Sequence, residues 1–113
     1  MMRNVEIFRA ARGGGKTKWL VNKAIEAYEN GITPVYVGSQ QSFERVQRLW
    51  RFETGTVCPL RHIATYKPDE SEECCALTDE LFVNLREVSD WQNVIFGKDI
   101  PWYITMDSED FAD

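Results

Sequence analysis

The eight residues "AARGGGKT" at 10–17 constrain the fold of this chain more than any other stretch. The three consecutive glycines at 13–15 can adopt positive φ, and they leave successive backbone N–H groups uncovered by a Cβ. The β-type run "VEIFRA" at 5–10 precedes them, and apolar side chains follow at helical spacing over 17–30. A strand, a glycine loop and a helix in this order form a cradle for phosphate. The stretch therefore predicts an α/β fold that begins with a nucleotide-binding loop.

Each position of this loop has a predicted role. Lys16 is expected to reach the β- and γ-phosphates, and the Thr17 hydroxyl to bind Mg²⁺. Ala10 stands at the first position, where the general pattern G-x-x-x-x-G-K-[ST] has glycine, and its small side chain serves the same purpose. The alternative is a flexible glycine-rich turn without a ligand. The residues predicted to contact the nucleotide are Ala11, Arg12, Gly13, Gly14, Gly15, Lys16, Thr17 and Lys18.

Composition predicts one globular domain over residues 1–113. The chain has 43% hydrophobic and 27% charged residues, and its length suffices for one core but not for two. No apolar run approaches the roughly 18 residues that span a bilayer, and the N-terminus has no signal-peptide hydrophobic segment. Three cysteines, two of them adjacent, argue against a disulfide framework. We therefore expect a protein of the cytoplasm, without a membrane partner.

The net charge of −5 is unevenly distributed along the chain. Residues 1–51 carry nine Lys and Arg against four Asp and Glu, a net +5, whereas residues 52–113 carry four against fourteen, a net −10. The basic half contains the glycine loop, as an anion site requires, and the acidic half supplies carboxylates that can face a metal. Because an acidic chain is a poor candidate for strong DNA binding, any contact with nucleic acid is expected to be indirect.

Strands and helices are predicted to alternate along the whole chain. Further strands are expected in 33–39, 61–66 and 101–107. A second helix is expected after Ser42, which is a candidate N-cap, and its outer face carries the arginines at positions 45, 48 and 51. This alternation predicts a three-layer α/β fold, with a mainly parallel sheet of four to five strands and helices on both faces.

A carboxylate beside the loop is required for magnesium, and two places qualify. In "CCALTDE" at 74–80, a short strand would end at Asp79, which would serve the metal, and Glu80, which would orient the attacking water. The stronger strand "WYITMD" ends at Asp107. An adjacent Asp and Glu supply both functions, which favours the first place. Apolar residues at helical spacing leave open a single helix over 71–92, and Asp107 would then be the metal-side carboxylate.

The loop "AARGGGKT" resembles the phosphate-binding loop of phage terminase large subunits, in which a small first residue and an arginine at the third position are common. The resemblance implies a minimal P-loop NTPase of the additional-strand, catalytic-glutamate type, with ATP and Mg²⁺ as its ligands. By position, Arg12 corresponds to the arginine that stabilises the γ-phosphate. In such a core the last strand carries a sensor motif, and Thr105 lies where that motif would stand. The resemblance also implies a phage DNA-handling assembly.

The predicted activity is hydrolysis of Mg-ATP by in-line attack of water on the γ-phosphate, with Lys16, Glu80 and Arg12 as catalytic residues. A single small domain would leave one face of the nucleotide open, so we expect a protein partner or self-association. If the protein is viral, its compartment would be the host cytoplasm. Two alternatives remain: a regulatory module that binds nucleotide with little turnover, and a small phosphotransferase.

Overall fold

Five parallel strands and two helices have bounds within the part of the chain that the structure describes. The computed structural model describes residues 5–11, 13–66, 72–81, 84, 86, 88 and 100–107. The strands form one sheet in the order β1-β5-β4-β2-β3, and every neighbouring pair is parallel. This confirms the predicted α/β class with a parallel sheet. The elements in chain order are β1 (Val5–Ala10), α1 (Lys16–Glu29), β2 (Thr33–Tyr36), α2 (Gln40–Thr54), β3 (Arg61–His62), β4 (Cys74–Thr78) and β5 (Trp102–Asp107).

The strand order places β5 between β1 and β4. Strand β5 pairs with β1 along its whole length, so that Ala10 lies opposite Asp107. On its other side, β5 pairs with residues 76–78 of β4. Because parallel strands end at the same edge of a sheet, three features meet there: the glycine loop after β1, Asp79 after β4, and Asp107 at the end of β5. The topology therefore brings together segments that are far apart in the sequence.

Both helices pack on one face of the sheet, against Tyr36 of β2 and Leu77 of β4. Each large apolar side chain buried in this way stabilises the fold by roughly 1.5–3 kcal/mol. Within the described residues, neither helix is long and apolar enough to cross a membrane. The side chains that the two helices bury in this layer include Leu20, Val21, Ala24, Phe43, Val46 and Trp50.

The opposite face of the sheet has an apolar cluster of its own. Trp102 of β5 and Ala76 of β4 are fully buried in it, and Leu81 and Val88 pack against it from the chain after β4. Val88 is helical, and its N–H donates to the carbonyl oxygen of Asn84 over 3.1 Å. The sheet is thus covered by helical residues on both faces, which agrees with the three-layer prediction.

Strand β4 settles one of the open alternatives. Residues 74–78 form a strand whose five side chains are all buried, so a continuous helix over 71–92 is wrong. The strand is paired on both sides, with β2 and β5, and is covered on both faces. A strand in this position has no polar face, and its sequence therefore shows no alternation that would distinguish it from a helix.

Other boundaries differ from the predicted ones. Helix α2 begins after Ser39 rather than Ser42, because the Ser39 hydroxyl accepts a hydrogen bond from the Ser42 N–H over 3.2 Å and so caps the helix. Ser42 is buried inside the helix, where its hydroxyl bonds the hydroxyl of Tyr36. The strands expected in 33–39 and 61–66 are shorter, with four residues in β2 and two in β3.

Candidate nucleotide site

The glycine loop turns sharply from β1 into α1. Gly13 and Gly15 have φ of 83° and 81°, in the left-handed region that glycine adopts without strain. Gly14 is required for a different reason: a Cβ there would lie 2.7 Å from the Cβ of Ala10 and 2.9 Å from the carbonyl oxygen of Ala11. This close approach also explains why residue 10 must be small. The general pattern's first glycine is replaced here by the next smallest residue.

The N-terminus of α1 is free to receive an anion. Its N-cap is Gly15, and no side chain of the described residues caps the first turn. No described atom lies within 4 Å of the position that a Cβ would take on Gly13 or Gly15. The first N–H groups of a helix have no partner within the helix and carry its positive dipole end. The first turn of α1 therefore offers a phosphate N–H donors and space, whereas the Gly14 N–H in the loop already donates to the Ala11 carbonyl oxygen over 2.9 Å.

Lys16 is buried at the start of α1, with 6% of its side chain exposed. Its ammonium lies 2.6 Å from Oδ1 of Asp107 and donates to the carbonyl oxygen of Ala11 over 3.1 Å. A buried ammonium needs such partners, because removing a charge from water without compensation is costly. Lys16 therefore folds back over the loop toward the end of β5, and Asp107 holds it there.

Asp79 is enclosed, and both of its carboxylate oxygens are hydrogen-bonded. The Thr17 hydroxyl donates to Oδ2 over 2.8 Å, and the Thr105 hydroxyl donates to Oδ1 over 2.5 Å. The Asp79 N–H donates to the hydroxyl of Tyr36 over 3.3 Å. Burial raises the pKa of Tyr36 well above its ordinary value, so this hydroxyl stays protonated. The structure thus joins Thr17 and Asp79, the two residues predicted to serve magnesium.

Glu80 follows Asp79 in a strained backbone conformation. Its φ is +52°, the only positive φ of a non-glycine residue in the described ranges, and such a conformation costs on the order of 1–3 kcal/mol. Its N–H donates to the Thr105 hydroxyl over 2.8 Å, and the N–H of Leu81 donates to the Thr105 carbonyl oxygen over 2.9 Å. The Glu80 carboxylate extends toward α2, where it lies 3.7 Å from the guanidinium of Arg45.

Asn84 was not among the predicted site residues, yet it is fully buried behind the turn at Asp79. Its side-chain amide donates to the carbonyl oxygen of Asp79 and, over 3.3 Å, to the hydroxyl of Ser42. Its Oδ1 accepts from the N–H of Ser39 over 2.9 Å. Asn84 therefore ties the start of α2 to the turn after β4. The sequence gives no signal for this role, because an isolated asparagine is typical of exposed segments.

The remaining predicted residues have different outcomes. Arg12 lies outside the described residues. The Lys18 side chain extends away from the loop, to within 3.9 Å of Glu53 on α2. His62, outside the predicted site, stacks on Phe43 with 4.6 Å between ring centroids. No group of three or more His, Cys, Asp or Glu side chains in the described ranges is arranged to hold a metal ion by itself.

The geometry of the site is the basis for its interpretation. No protein-family model matches the chain, and no curated protein sequence matches it significantly. The loop conformation, the strand order and the contacts of Asp79 are therefore the observations from which a function can be inferred.

Proposed function

We propose that the protein binds a nucleoside triphosphate, ATP by the resemblance noted above, together with Mg²⁺, and that it hydrolyses the terminal phosphate. The observation that carries this proposal is the 2.8 Å hydrogen bond between Thr17 and Asp79, which are 62 residues apart in the sequence. Phosphate-binding loops use a Ser or Thr hydroxyl at this position and a carboxylate from a neighbouring strand around Mg²⁺. Both are hard oxygen ligands, which Mg²⁺ prefers, and phosphate and water oxygens commonly complete its shell.

The loop fits a polyphosphate. Gly13 and Gly15 leave space for an anion, and the uncapped α1 places its positive end at the same point. Lys16 already stands beside the loop, held by Asp107. In the nucleotide complex we expect its ammonium to turn from Asp107 to the phosphate oxygens, because these carry more charge than one carboxylate.

Each residue around the loop has its own role in the proposed hydrolysis. Lys16 and the backbone N–H groups would hold the phosphates, and Thr17 and Asp79 would hold the metal ion. Glu80 orients the attacking water and accepts its proton, with its backbone fixed by the Thr105 hydroxyl. Mg²⁺, when bound, neutralises charge on the phosphate oxygens. Arg12 would offset the charge that develops on the γ-phosphate, as the resemblance implies.

The strand order supports the same proposal. Strand β5 lies between β1, which precedes the loop, and β4, which ends at the acidic pair. One strand inserted at this place is the feature after which the additional-strand class is named. The wider setting also belongs to the proposal: an assembly that handles phage DNA, a protein partner or a second copy that covers the open face of the site, and the cytoplasm of the host.

Two substitutions test the proposal together. Lys16→Ala should weaken the binding of Mg-ATP about a hundredfold, because charge-assisted hydrogen bonds to phosphate are lost. Glu80→Gln should bind Mg-ATP like the wild type and release no phosphate, because the amide cannot accept a proton. Calorimetry and a phosphate-release assay measure the two effects.

Lys23→Ala is the matched control, since Lys23 lies on the same helix and pairs with Glu6 over 3.4 Å, away from the loop. Its affinity for ATP should equal that of the wild type. If Lys16→Ala also binds ATP with unchanged affinity, the loop is not a phosphate site.

A further inference from the structure

A groove lies between Thr17 and the outer face of α2. It has a volume of about 460 Å³ and is lined by Thr17, Arg45, Arg48, Leu49 and Phe52. This volume lies within the range of small-molecule sites, roughly 300–1,000 Å³. Because Thr17 belongs to the groove and also to the proposed triphosphate site, a ligand in the groove would lie next to the terminal phosphate.

The surface of the groove is mainly apolar and suits a planar ring, and the exposed arginine side chains that border it suit an anionic group. The ring of Phe52 is 84% exposed, and Leu49 lies half-buried beside it. Arg48 is exposed, and its guanidinium forms no ion pair or hydrogen bond within the described residues. Nucleobases stack on aromatic rings, and guanidinium groups bind phosphate in a bidentate manner. An aromatic ring in the groove and a guanidinium beside it are together the recognition elements of a nucleotide.

We propose that this groove binds a nucleoside monophosphate as the acceptor of the terminal phosphate of ATP. The proposal rests on the proposed function, since it requires ATP at the loop. An oxygen of the monophosphate attacks the γ-phosphorus, and the bond between that phosphorus and the oxygen bridging to the β-phosphorus breaks. The products are two nucleoside diphosphates, and no further reagent is needed. Hydrolysis is then the reaction that occurs when water occupies the acceptor position.

Arg45 connects the groove with the catalytic residues. It lines the groove and lies 3.7 Å from Glu80, while half of its own side chain is exposed. Exposed ion pairs of this kind contribute about 1 kcal/mol or less, so a phosphate in the groove can replace Glu80 as the partner of Arg45. The second ligand thereby frees the Glu80 carboxylate.

A single nucleotide fits the arrangement better than a nucleic-acid strand. Arg51 lies outside the groove. Together with Val57 and Cys58 it lines a second depression, and Arg48 borders both depressions. A strand running along α2 would cover both depressions and contact Arg48 and Arg51 alike. A monophosphate in the groove would contact Arg48 but not Arg51, and this difference provides a direct test.

The binding experiment is a calorimetric titration with AMP, GMP, CMP and UMP in the absence of triphosphate. The wild type should bind at least one of them, and Arg48→Ala and Phe52→Ala should each weaken that binding about tenfold. Arg51→Ala removes the same charge one turn further along α2 and should leave the affinity unchanged. All three side chains are exposed, so the variants should fold, as circular dichroism can verify. Binding should persist in Lys16→Ala, which distinguishes the groove from the loop.

The transfer experiment incubates the wild type with γ-labelled ATP and the monophosphate that binds, and the label should appear in a nucleoside diphosphate. The proposal is overturned if no monophosphate binds at millimolar concentration, or if binding occurs without labelled diphosphate. It is also overturned if Arg51→Ala weakens monophosphate binding as much as Arg48→Ala does. The same holds if a 12-nucleotide single strand binds and the two variants weaken its binding equally. ATP binding is measured in parallel: if ATP binds and no monophosphate does, only this inference fails.

Discussion

The Thr105 hydroxyl is the contact on which the geometry of both acidic residues depends. Thr105 is fully buried in β5, donates to Asp79 over 2.5 Å and accepts from the Glu80 N–H over 2.8 Å. Thr105→Val has nearly the same shape and removes both hydrogen bonds. A buried donor or acceptor left without its partner costs about 1–3 kcal/mol. With two such groups, the free energy of unfolding should fall by roughly 2–6 kcal/mol.

The same change should lower turnover, because Glu80 would lose the contact that holds it at a φ of +52°. We expect kcat to fall at least tenfold, with a smaller change in ATP affinity. Urea denaturation and steady-state phosphate release measure the two effects on the same samples. Thr105→Ser keeps the hydroxyl, and it should retain most of the stability and the turnover.

Thr78→Val is the matched control for this experiment. Thr78 is also fully buried, in the adjacent strand β4, and its hydroxyl has no hydrogen-bond partner among the described residues. Replacing it with an apolar group of the same shape should be neutral or stabilising. If Thr78→Val and Thr105→Val destabilise the protein equally, the hydroxyl contacts of Thr105 do not hold the site, and the reasoning is refuted.

Three further predictions concern the two aspartates, the glycine loop and a buried cysteine of β4. Asp79→Asn should weaken the Mg²⁺ dependence of ATP binding, whereas Asp107→Asn should leave it nearly intact. Calorimetry with and without Mg²⁺ distinguishes the two variants. If only Asp107→Asn weakens the Mg²⁺ dependence, Asp107 is the metal ligand. Gly14→Ala should destabilise the fold by about 1–3 kcal/mol in urea denaturation, because its Cβ would lie 2.7 Å from that of Ala10; Ala10→Gly in the same chain should restore part of the loss, and additive effects would contradict the contact. Burial, and secondarily the adjacent cysteine, raises the pKa of Cys75 from its ordinary 9.0 to about 12. The buried neutral thiol therefore stabilises the fold fully below about pH 9 and progressively less toward pH 12, so the free energy of unfolding should fall by up to about 1.4 kcal/mol per pH unit there, and less steeply in Cys75→Ala.

The glycine loop and its flanking elements could be predicted because their signals are local. The strand at 5–10 has the bounds that the sequence indicated, and α1 begins one residue before the predicted start. Glycine and helical periodicity each report a preference of the residues themselves, which needs no distant partner. The arginines predicted for the outer face of α2 are likewise exposed, although the N-cap of the helix is Ser39 and not Ser42.

The acidic residues could be predicted only as alternatives, because strand order is not a local property. Asp79 and Asp107 were treated as rivals for one role. The structure brings both to the loop, with Asp79 at the Thr17 hydroxyl and Asp107 at the Lys16 ammonium. They have different partners because β4 and β5 are neighbours that end at the same edge. Long-range pairing of this kind leaves no mark in the periodicity of either strand.

Two contacts of very different strength join helix α2 to the turn formed by Asp79 and Glu80. Asn84 is fully buried and links Ser39 at the start of the helix to the carbonyl of Asp79, so losing it would leave several buried polar groups without partners. The Arg45–Glu80 pair is half-exposed and therefore weak. A ligand on the outer face of α2 can thus displace the second contact while the first remains. The backbone of the turn then keeps its position, and only the Glu80 carboxylate changes its partner. A ligand in the groove can therefore affect the proposed catalytic residue through the movement of a single side chain.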